Sequence, residues 1–250
     1  MSELAEQRVL IVVPALNEER SVGDVVYDAR ALGYDVCVVD DGSTDATATV
    51  AADAGATVLR VPINLGVGGA LRCGFRWALA RGYDVVVQLD ADGQHDPREV
   101  ATLLAAMRRS EADMVIGSRF AANADAYAIA PVRRLAMRVL ARRASRLTGT
   151  VVRDSTSGFR AIRRPLLDRF AVNYPVEYLG DTVEALIEAG RSGARIVEQP
   201  VAMFPRRHGN SSASALASVW YVLRVIVATE LTHHRRWRRP PRLPSSHGVT

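Results

Sequence analysis

Asp90-Ala91-Asp92 sets two carboxylates one residue apart, directly after an apolar run over residues 83–89. A pair so spaced at a strand end cannot turn both side chains into a core. In a tight turn, both can face a hard divalent cation that is shared with a diphosphate. Mg²⁺ usually takes one or two protein carboxylates and fills its shell with phosphate oxygens and water. Gln94, His95 and Asp96 continue the polar run, and the amide oxygen of Gln94 could complete the shell. Alone, Asp-x-Asp is common, and it also reads as a solvated turn with a helix cap.

Three further groups of residues could serve the same chemistry. Asp40-Asp41-Gly42-Ser43-Thr44-Asp45 follows another apolar run. Asp41 is the residue there expected to accept hydrogen bonds from a base or ribose, and Asp45 to cap the next helix. Asn64-Leu65-Gly66-Val67-Gly68-Gly69-Ala70 resembles a phosphate cradle at a helix N-terminus, though it lacks the Lys-Ser/Thr pair of a P-loop and the glycine spacing of a dinucleotide fingerprint. Arginines recur in loop contexts at Arg119, Arg153, Arg160, Arg206 and Arg207, and forked guanidinium donors suit diphosphate oxygens. Each alone also reads as a surface charge.

The elements that must position these residues alternate along the chain. Strands are expected over 8–13, 35–39, 57–61, 83–89, 114–117 and 194–201. Helices are expected from an N-cap at Ser21 to residue 31, through residue 54, from the glycine-rich stretch to residue 80, from Pro97 to about 110, after Phe159-Arg160, and over 181–189. The alternation predicts an α/β fold, with a Rossmann-like, mostly parallel sheet covered by helices on both faces. In such sheets ligands bind beyond the carboxyl ends of the strands. Pro14, Asp40, Asp41, Asp90 and Asp92 all fall at such ends, and that coincidence is the main reason to read them as one site.

The ordered set Pro14-Ala15-Leu16-Asn17-Glu18, Asp40-Asp41-Gly42-Ser43, Asn64-Leu65-Gly66 and Asp90-Ala91-Asp92-Gly93-Gln94-His95 resembles family 2 glycosyltransferases of the GT-A fold. The continuation through Gly117-Ser118-Arg119-Phe120, Asp154-Ser155-Thr156-Ser157-Gly158-Phe159-Arg160 and Arg206-Arg207-His208-Gly209 is similar to the polyprenyl-phosphate branch of that family. The resemblance covers residues 8–212. It implies a catalytic domain over 1–212, with a nucleotide-sugar half over about 8–120 and an acceptor half over 121–212. It implies that Pro14, Ala15, Asn17, Glu18, Asp40, Asp41 and Gly66 hold the donor nucleotide, and that Asp90, Asp92 and Gln94 hold Mg²⁺ or Mn²⁺. It further implies that Arg119, Arg153 and Arg206 or Arg207 meet donor or acceptor phosphates, and that Ser157 and Phe159 shape the sugar and acceptor site. The expected reaction inverts the anomeric centre as a hexose moves from a UDP- or GDP-sugar to a polyprenyl phosphate. A lipid phosphate is ionised and could attack unaided, whereas a hydroxyl acceptor would need a carboxylate base. Asp181 and Glu184, at i,i+3 spacing, are the candidates, though they equally suit a solvated helix face.

The composition frames these readings. At 48% hydrophobic and 24% charged, the 250 residues suit an ordered globular domain rather than a disordered chain. All 32 basic residues are arginine, and the net charge of +5 favours anionic partners. Cys37 and Cys73 lack metal-ligand spacing and read as reduced, buried thiols. The apolar run after the first strand's start is too short for a signal-peptide core, so a cytoplasmic active domain is expected. Residues 129–147 form a basic amphipathic pattern. Residues 213–231 are apolar but interrupted by Arg224, and Arg235-Arg236-Trp237-Arg238-Arg239 follow. A helix lying in the membrane interface on the inner face of the plasma membrane suits residues 213–239 better than a span, and both helices could instead pack on the protein or on a second copy. Residues 240–250, rich in Pro and Ser, are expected to be a disordered tail. A nucleic-acid-binding protein is disfavoured because no such motif appears, and a nucleotidyltransferase because its glycine-rich loop with Arg and Lys is missing.

Overall fold

A computed structural model describes residues 7–118, 152–175 and 181–204. Seven strands are present: β1 Val9–Ala15, β2 Asp35–Asp40, β3 Thr57–Arg60, β4 Val85–Gln88, β5 Met114–Ser118, β6 Arg160–Arg163 and β7 Ile196–Pro200. Six α-helices accompany them among the described residues: α1 Val22–Ala31, α2 Thr47–Asp53, α3 Val67–Ala80, α4 Val100–Ser110, α5 Leu166–Asn173 and α6 Asp181–Arg191. A 3₁₀ turn over Pro97–Glu99 leads into α4, with the Asp96 carboxylate accepting the Arg98 amide as its cap.

The strands form one sheet in the order β3-β2-β1-β4-β6-β5-β7. β1 pairs in parallel with β2 and β4, β2 with β3, and β5 with β7. β6 runs antiparallel between β4 and β5. The expected mostly parallel sheet is present, but β6 lies where the sequence suggested a loop followed by a helix. Its four residues, Arg-Ala-Ile-Arg, carry a charge at each end and no apolar alternation long enough to mark a strand. It forms because both faces are covered and because the buried Arg160 finds main-chain acceptors for its guanidinium.

Each face of the sheet carries its own core. On one, Ile11, Val13, Val36, Val38, Val87 and Val115 meet the apolar stripes of α1, α2 and α4. On the other, Leu10, Val12, Val39, Val86, Ile116 and Ile162 meet α3, α5 and α6. There Phe75, Phe170 and Tyr174 pack edge-on and stacked, with ring centres 5.0–6.4 Å apart. Burying each such side chain contributes about 1.5–3 kcal/mol. α3 lies close to the sheet at Gly74, where a Cβ would stand 2.5 Å from Val12 Cγ1.

The topology opens a crevice. β1 leads to β2 on one side, and the chain returns through β3 to place β4 on the other. That reversal is where open α/β sheets bind ligands. β1 and β4 are in register only through Val12 and Gln88, after which they part. The last bond across them is Leu89 N–H to Val12 O. Pro14 therefore sits where β1 has no ladder left on the β4 side, so its missing N–H costs nothing.

Candidate functional site

A cleft of about 310 Å³ fills the fork between β1 and β4. Pro14, Ala15, Leu16 and Glu18 line one wall, and Asp41, Asn64, Gly66, Val67 and Ala70 the next. Asp90, Ala91 and Asp92 line the third. Of the residues expected to hold a nucleotide, Pro14, Ala15, Glu18, Asp41 and Gly66 thus come together with both carboxylates of the Asp-x-Asp turn. Asn17 and Asp40 are not among the lining residues. Asn17, at φ 56°, accepts the Thr44 amide with its Oδ1 and donates its own amide to Ser43 Oγ, tying the loop after β1 to the loop after β2. Asp40 Oδ1 accepts the Ser43 amide and closes that second loop.

Asp41 is fixed at both levels. Its amide donates to Ala15 O, and its Oδ1 accepts the Leu65 amide at 2.8 Å. Burial pushes its carboxyl above the ordinary value, against the lowering effect of the Leu65 and Gly66 amides, and Asp40 adds to the rise. The glycine-rich stretch is thereby strapped to the end of β2, and Gly66, at φ 79°, turns the chain into α3. The N-cap position of α2 falls on Ala46, and Asp45, one residue before it, accepts the amide and hydroxyl of Thr47 with its Oδ1. Burial acts to raise its carboxyl, but bonds from the Thr47 hydroxyl and amide and the Glu19 amide outweigh burial and hold it low. Ser21 stands at the N-cap position of α1, yet its hydroxyl donates to Glu18 Oε2 at 2.8 Å instead of capping the helix.

The acidic turn is supported from below by a histidine. His95 is 4% exposed and stacks on the buried Phe159, with centroids 5.0 Å apart and planes inclined by 17°. Its Nδ1 accepts the Asp90 amide at 3.1 Å, and its Nε2 lies 3.7 Å from Asp90 Oδ2. The bond to Nδ1 assigns the N–H of the neutral ring to Nε2, facing the carboxylate. Asp92 Oδ1 accepts the Gln94 amide at 3.0 Å, and Gln94 O accepts the Phe204 amide. Gln94 belongs to the turn but is not among the residues lining the cleft. Among the described residues no three His, Cys, Asp or Glu side chains are grouped to hold a metal. Asp90 and Asp92 by themselves fit a cation that draws its remaining oxygens from a diphosphate.

The loop over residues 154–158 closes the other side. Glu198 of β7 accepts the amides of Arg153 and Asp154. Ser157 is buried, and its Oγ accepts the Phe159 amide. Arg160, fully buried, donates from Nε to Ser157 O at 2.8 Å and from Nη2 to Ser155 O and Thr182 O. Arg160 is therefore a buried clamp and not the phosphate-facing loop arginine that its motif suggested. Arg153 is exposed. Phe159 acts from beneath, through His95. Glu184 lies half-buried on α6, and Asp181 is the first residue of that helix. Arg119, Arg206 and Arg207, together with the segments 129–147 and 213–250, lie outside the described residues.

Sequence reasoning misses Glu198 and Arg160 as supports of this loop, and it sees His95 only as part of a polar run. The partners of Glu198 lie 45 and 44 positions away, and those of His95 and Arg160, though mostly nearer, are main-chain atoms that no residue type marks. A larger hollow of about 810 Å³ at the amino ends of the strands is lined by Arg8, Tyr83, Arg108 and Arg163 among others. Arg8 is already spent on Arg81 O and the Tyr83 ring, and Arg163 on Glu111 O and Asp113. No helix among the described residues is long and apolar enough to cross a membrane.

Comparison with known proteins agrees with this fold. The model of the family described as Glycosyl transferase family 2 matches residues 10–170. The undecaprenyl-phosphate mannosyltransferase of Micrococcus luteus is 35% identical over 215 residues, covering 83% of this chain and 88% of that protein. The polyprenol monophosphomannose synthase of Mycolicibacterium smegmatis is 34% identical over 221 residues, covering 83% and 82%. Among solved structures, glucosyl-3-phosphoglycerate synthase from Mycobacterium tuberculosis, in complex with Mn²⁺, UDP and phosphoglyceric acid, superposes with a TM-score of 0.67. It is 25% identical, and the match covers 91% of this chain and 78% of that one.

Proposed function

Because the chain belongs to glycosyl transferase family 2, we propose that it moves a hexose from a UDP- or GDP-sugar to a polyprenyl phosphate, with Mg²⁺ or Mn²⁺ as cofactor. The observation that carries this reading is the cleft at the β1/β4 fork. It joins Asp41 and the glycine-rich loop on one side to Asp90 and Asp92 on the other. The first pair of features suits a nucleoside, and the second a diphosphate with its cation.

Asp90 and Asp92 would hold the divalent cation, which supplies neutralisation of the charge that develops on the leaving diphosphate. Pro14, Ala15, Glu18 and Gly66 shape the nucleotide side, while Asn17, Asp40 and Asp41 keep its loops in place. The acceptor phosphate oxygen attacks the anomeric carbon from the face opposite the diphosphate. The new carbon–oxygen bond forms as the bond to the diphosphate oxygen breaks, and the configuration inverts. An ionised phosphate brings no proton that must be removed, so this acceptor needs no base. Asp181 and Glu184 of α6 are the carboxylates for a hydroxyl acceptor. Arg119, Arg153, Arg206 and Arg207 supply the forked donors for the phosphates, and Ser157 orders the acceptor loop.

The relatives named for undecaprenyl phosphate and polyprenol support a lipid acceptor. In keeping with it, the basic segments 129–147 and 213–239 would hold the protein to the inner face of the plasma membrane as a peripheral protein. A second reading, a soluble acceptor, is favoured by the likeness to the phosphoglycerate-bound synthase. A release screen separates them: nucleotide release from UDP-glucose, UDP-N-acetylglucosamine and GDP-mannose, with a short polyprenyl phosphate, with 3-phosphoglycerate, or with neither. Lipid-stimulated release supports the first reading, phosphoglycerate-stimulated release the second. No release with any donor or acceptor contradicts both.

A further inference from the structure

The acceptor-side loop touches the acidic turn at Gly158. A Cβ built there would lie 3.1 and 3.2 Å from the two carboxylate oxygens of Asp90 and 3.3 Å from Gln88 Nε2. Gly158 has no positive φ, so its backbone conformation is open to any residue. What glycine provides at this position is the close approach of bare main chain to a carboxylate.

The loop cannot easily retreat from that contact. On one side of Gly158, Ser157 O is held by Arg160 Nε, and the same guanidinium reaches Ser155 O and Thr182 O. On the other, the Phe159 amide is held by Ser157 Oγ, and Phe159 O accepts the Gly117 amide across to β5. The Phe159 ring stacks on His95, whose Nδ1 in turn accepts the Asp90 amide. Gln88 and Arg160 are cross-strand partners between β4 and β6. Close-packed surroundings transmit strain, and the group a Cβ at Gly158 would meet first is the Asp90 carboxylate, whose side chain is 37% exposed at the cleft.

We propose that Gly158 is a positioning residue for the cation site: its bare main chain is the wall against which the Asp90 carboxylate takes the orientation that meets the metal. The acceptor loop and the donor cation are then mechanically joined, and a shift of the loop is felt at Asp90. The inference rests on the reading of Asp90 as a metal-facing carboxylate.

The test is calorimetric titration of Mn²⁺ into the full chain with UDP present, for the wild type and Gly158→Ala, beside UDP titration without metal and a melting curve. Groups that orient metal ligands typically alter affinity by 10–100-fold when changed. The expected result is Mn²⁺ binding about tenfold weaker in Gly158→Ala, with metal-free UDP binding within about twofold of the wild type. Unchanged Mn²⁺ affinity overturns the inference, as does an equal loss of metal-free UDP binding, which would mean general damage to the cleft. Failure of the wild type to take up Mn²⁺ overturns the reading of Asp90 as well. Should Gly158→Ala not fold, Arg160→Lys decides, because it keeps the charge and removes the fork that pins the loop. Weaker Mn²⁺ binding supports the inference, and unchanged binding overturns it.

Discussion

Truncating His95 to alanine should loosen the acidic turn by a calculable amount. The Asp90 amide loses its acceptor at 3.1 Å in a part-buried setting, which costs about 1–2 kcal/mol. The stack on Phe159 is lost as well, at about 0.5–1.5 kcal/mol. Together these come to about 1.5–3.5 kcal/mol. For a chain of this length each kcal/mol lowers the melting temperature by about 2–4 °C, so a fall of about 3–14 °C is expected. His95→Phe separates the two contributions, because it keeps a ring against Phe159 and removes the ring nitrogens that face Asp90. It should lie between the wild type and the alanine variant. Thermal unfolding followed by circular dichroism reads both. A melting temperature for His95→Ala within about 1 °C of the wild type, or a His95→Phe chain as stable as the wild type, would refute the view that the ring nitrogen holds Asp90.

Other consequences follow from single contacts. Burial raises the Asp41 carboxyl above 3.8, so the folded chain keeps this proton to higher pH than the unfolded chain does. Asp41's contribution to stability is therefore greatest below that value and declines as pH rises through the raised one. Asp41→Asn should remove the decline and gain on the wild type as pH rises from about 4; parallel stability curves in urea would contradict it. Gly74→Ala would set a methyl 2.5 Å from Val12 Cγ1. Overpacking of about 1–3 kcal/mol should exceed the gain of about 1 kcal/mol in helix propensity, and a urea midpoint at or above the wild type's would show that α3 can move. Cys37 is buried, with its thiol pushed up to about 12, so it should resist maleimide in the folded chain near about pH 8 and react after denaturation. Rapid labelling of native Cys37 would mean that the β2 core opens.

Much of this was legible in the chain because strand ends and turn residues are local signals. The apolar runs before Pro14, Asp40 and Asp90 gave the order of β1, β2 and β4, and those alone decide where the crevice lies. The glycine turn into α3 was readable for the same reason, and so was the polar start of α2, although its N-cap position falls on Ala46 rather than Asp45. β6 was not legible, because its stability comes from being sandwiched between β4 and β5 rather than from its own four residues. Arg160 looked like a phosphate ligand because a loop arginine before an apolar stretch is usually exposed. Only the tertiary fold reveals Ser155, Ser157 and Thr182 as its acceptors. The resemblance has Phe159 shape the sugar and acceptor site, and no motif shows that its ring lies buried against His95. The support of Asp90 by His95 and its contact with Gly158 depend on distances that no motif encodes.

The most direct test of the central proposal follows the sugar itself. Radiolabelled donor sugar is incubated with the purified chain, polyprenyl phosphate and Mn²⁺, and the label is partitioned between water and organic solvent. Parallel samples contain chelator, or the Asp92→Ala variant in place of the wild type. The account predicts label in the organic phase with one donor, lost with chelator and lost in Asp92→Ala. Label transferred equally well by chelated enzyme or by Asp92→Ala would contradict the role given to the acidic turn, and label confined to a water-soluble product would contradict the lipid acceptor.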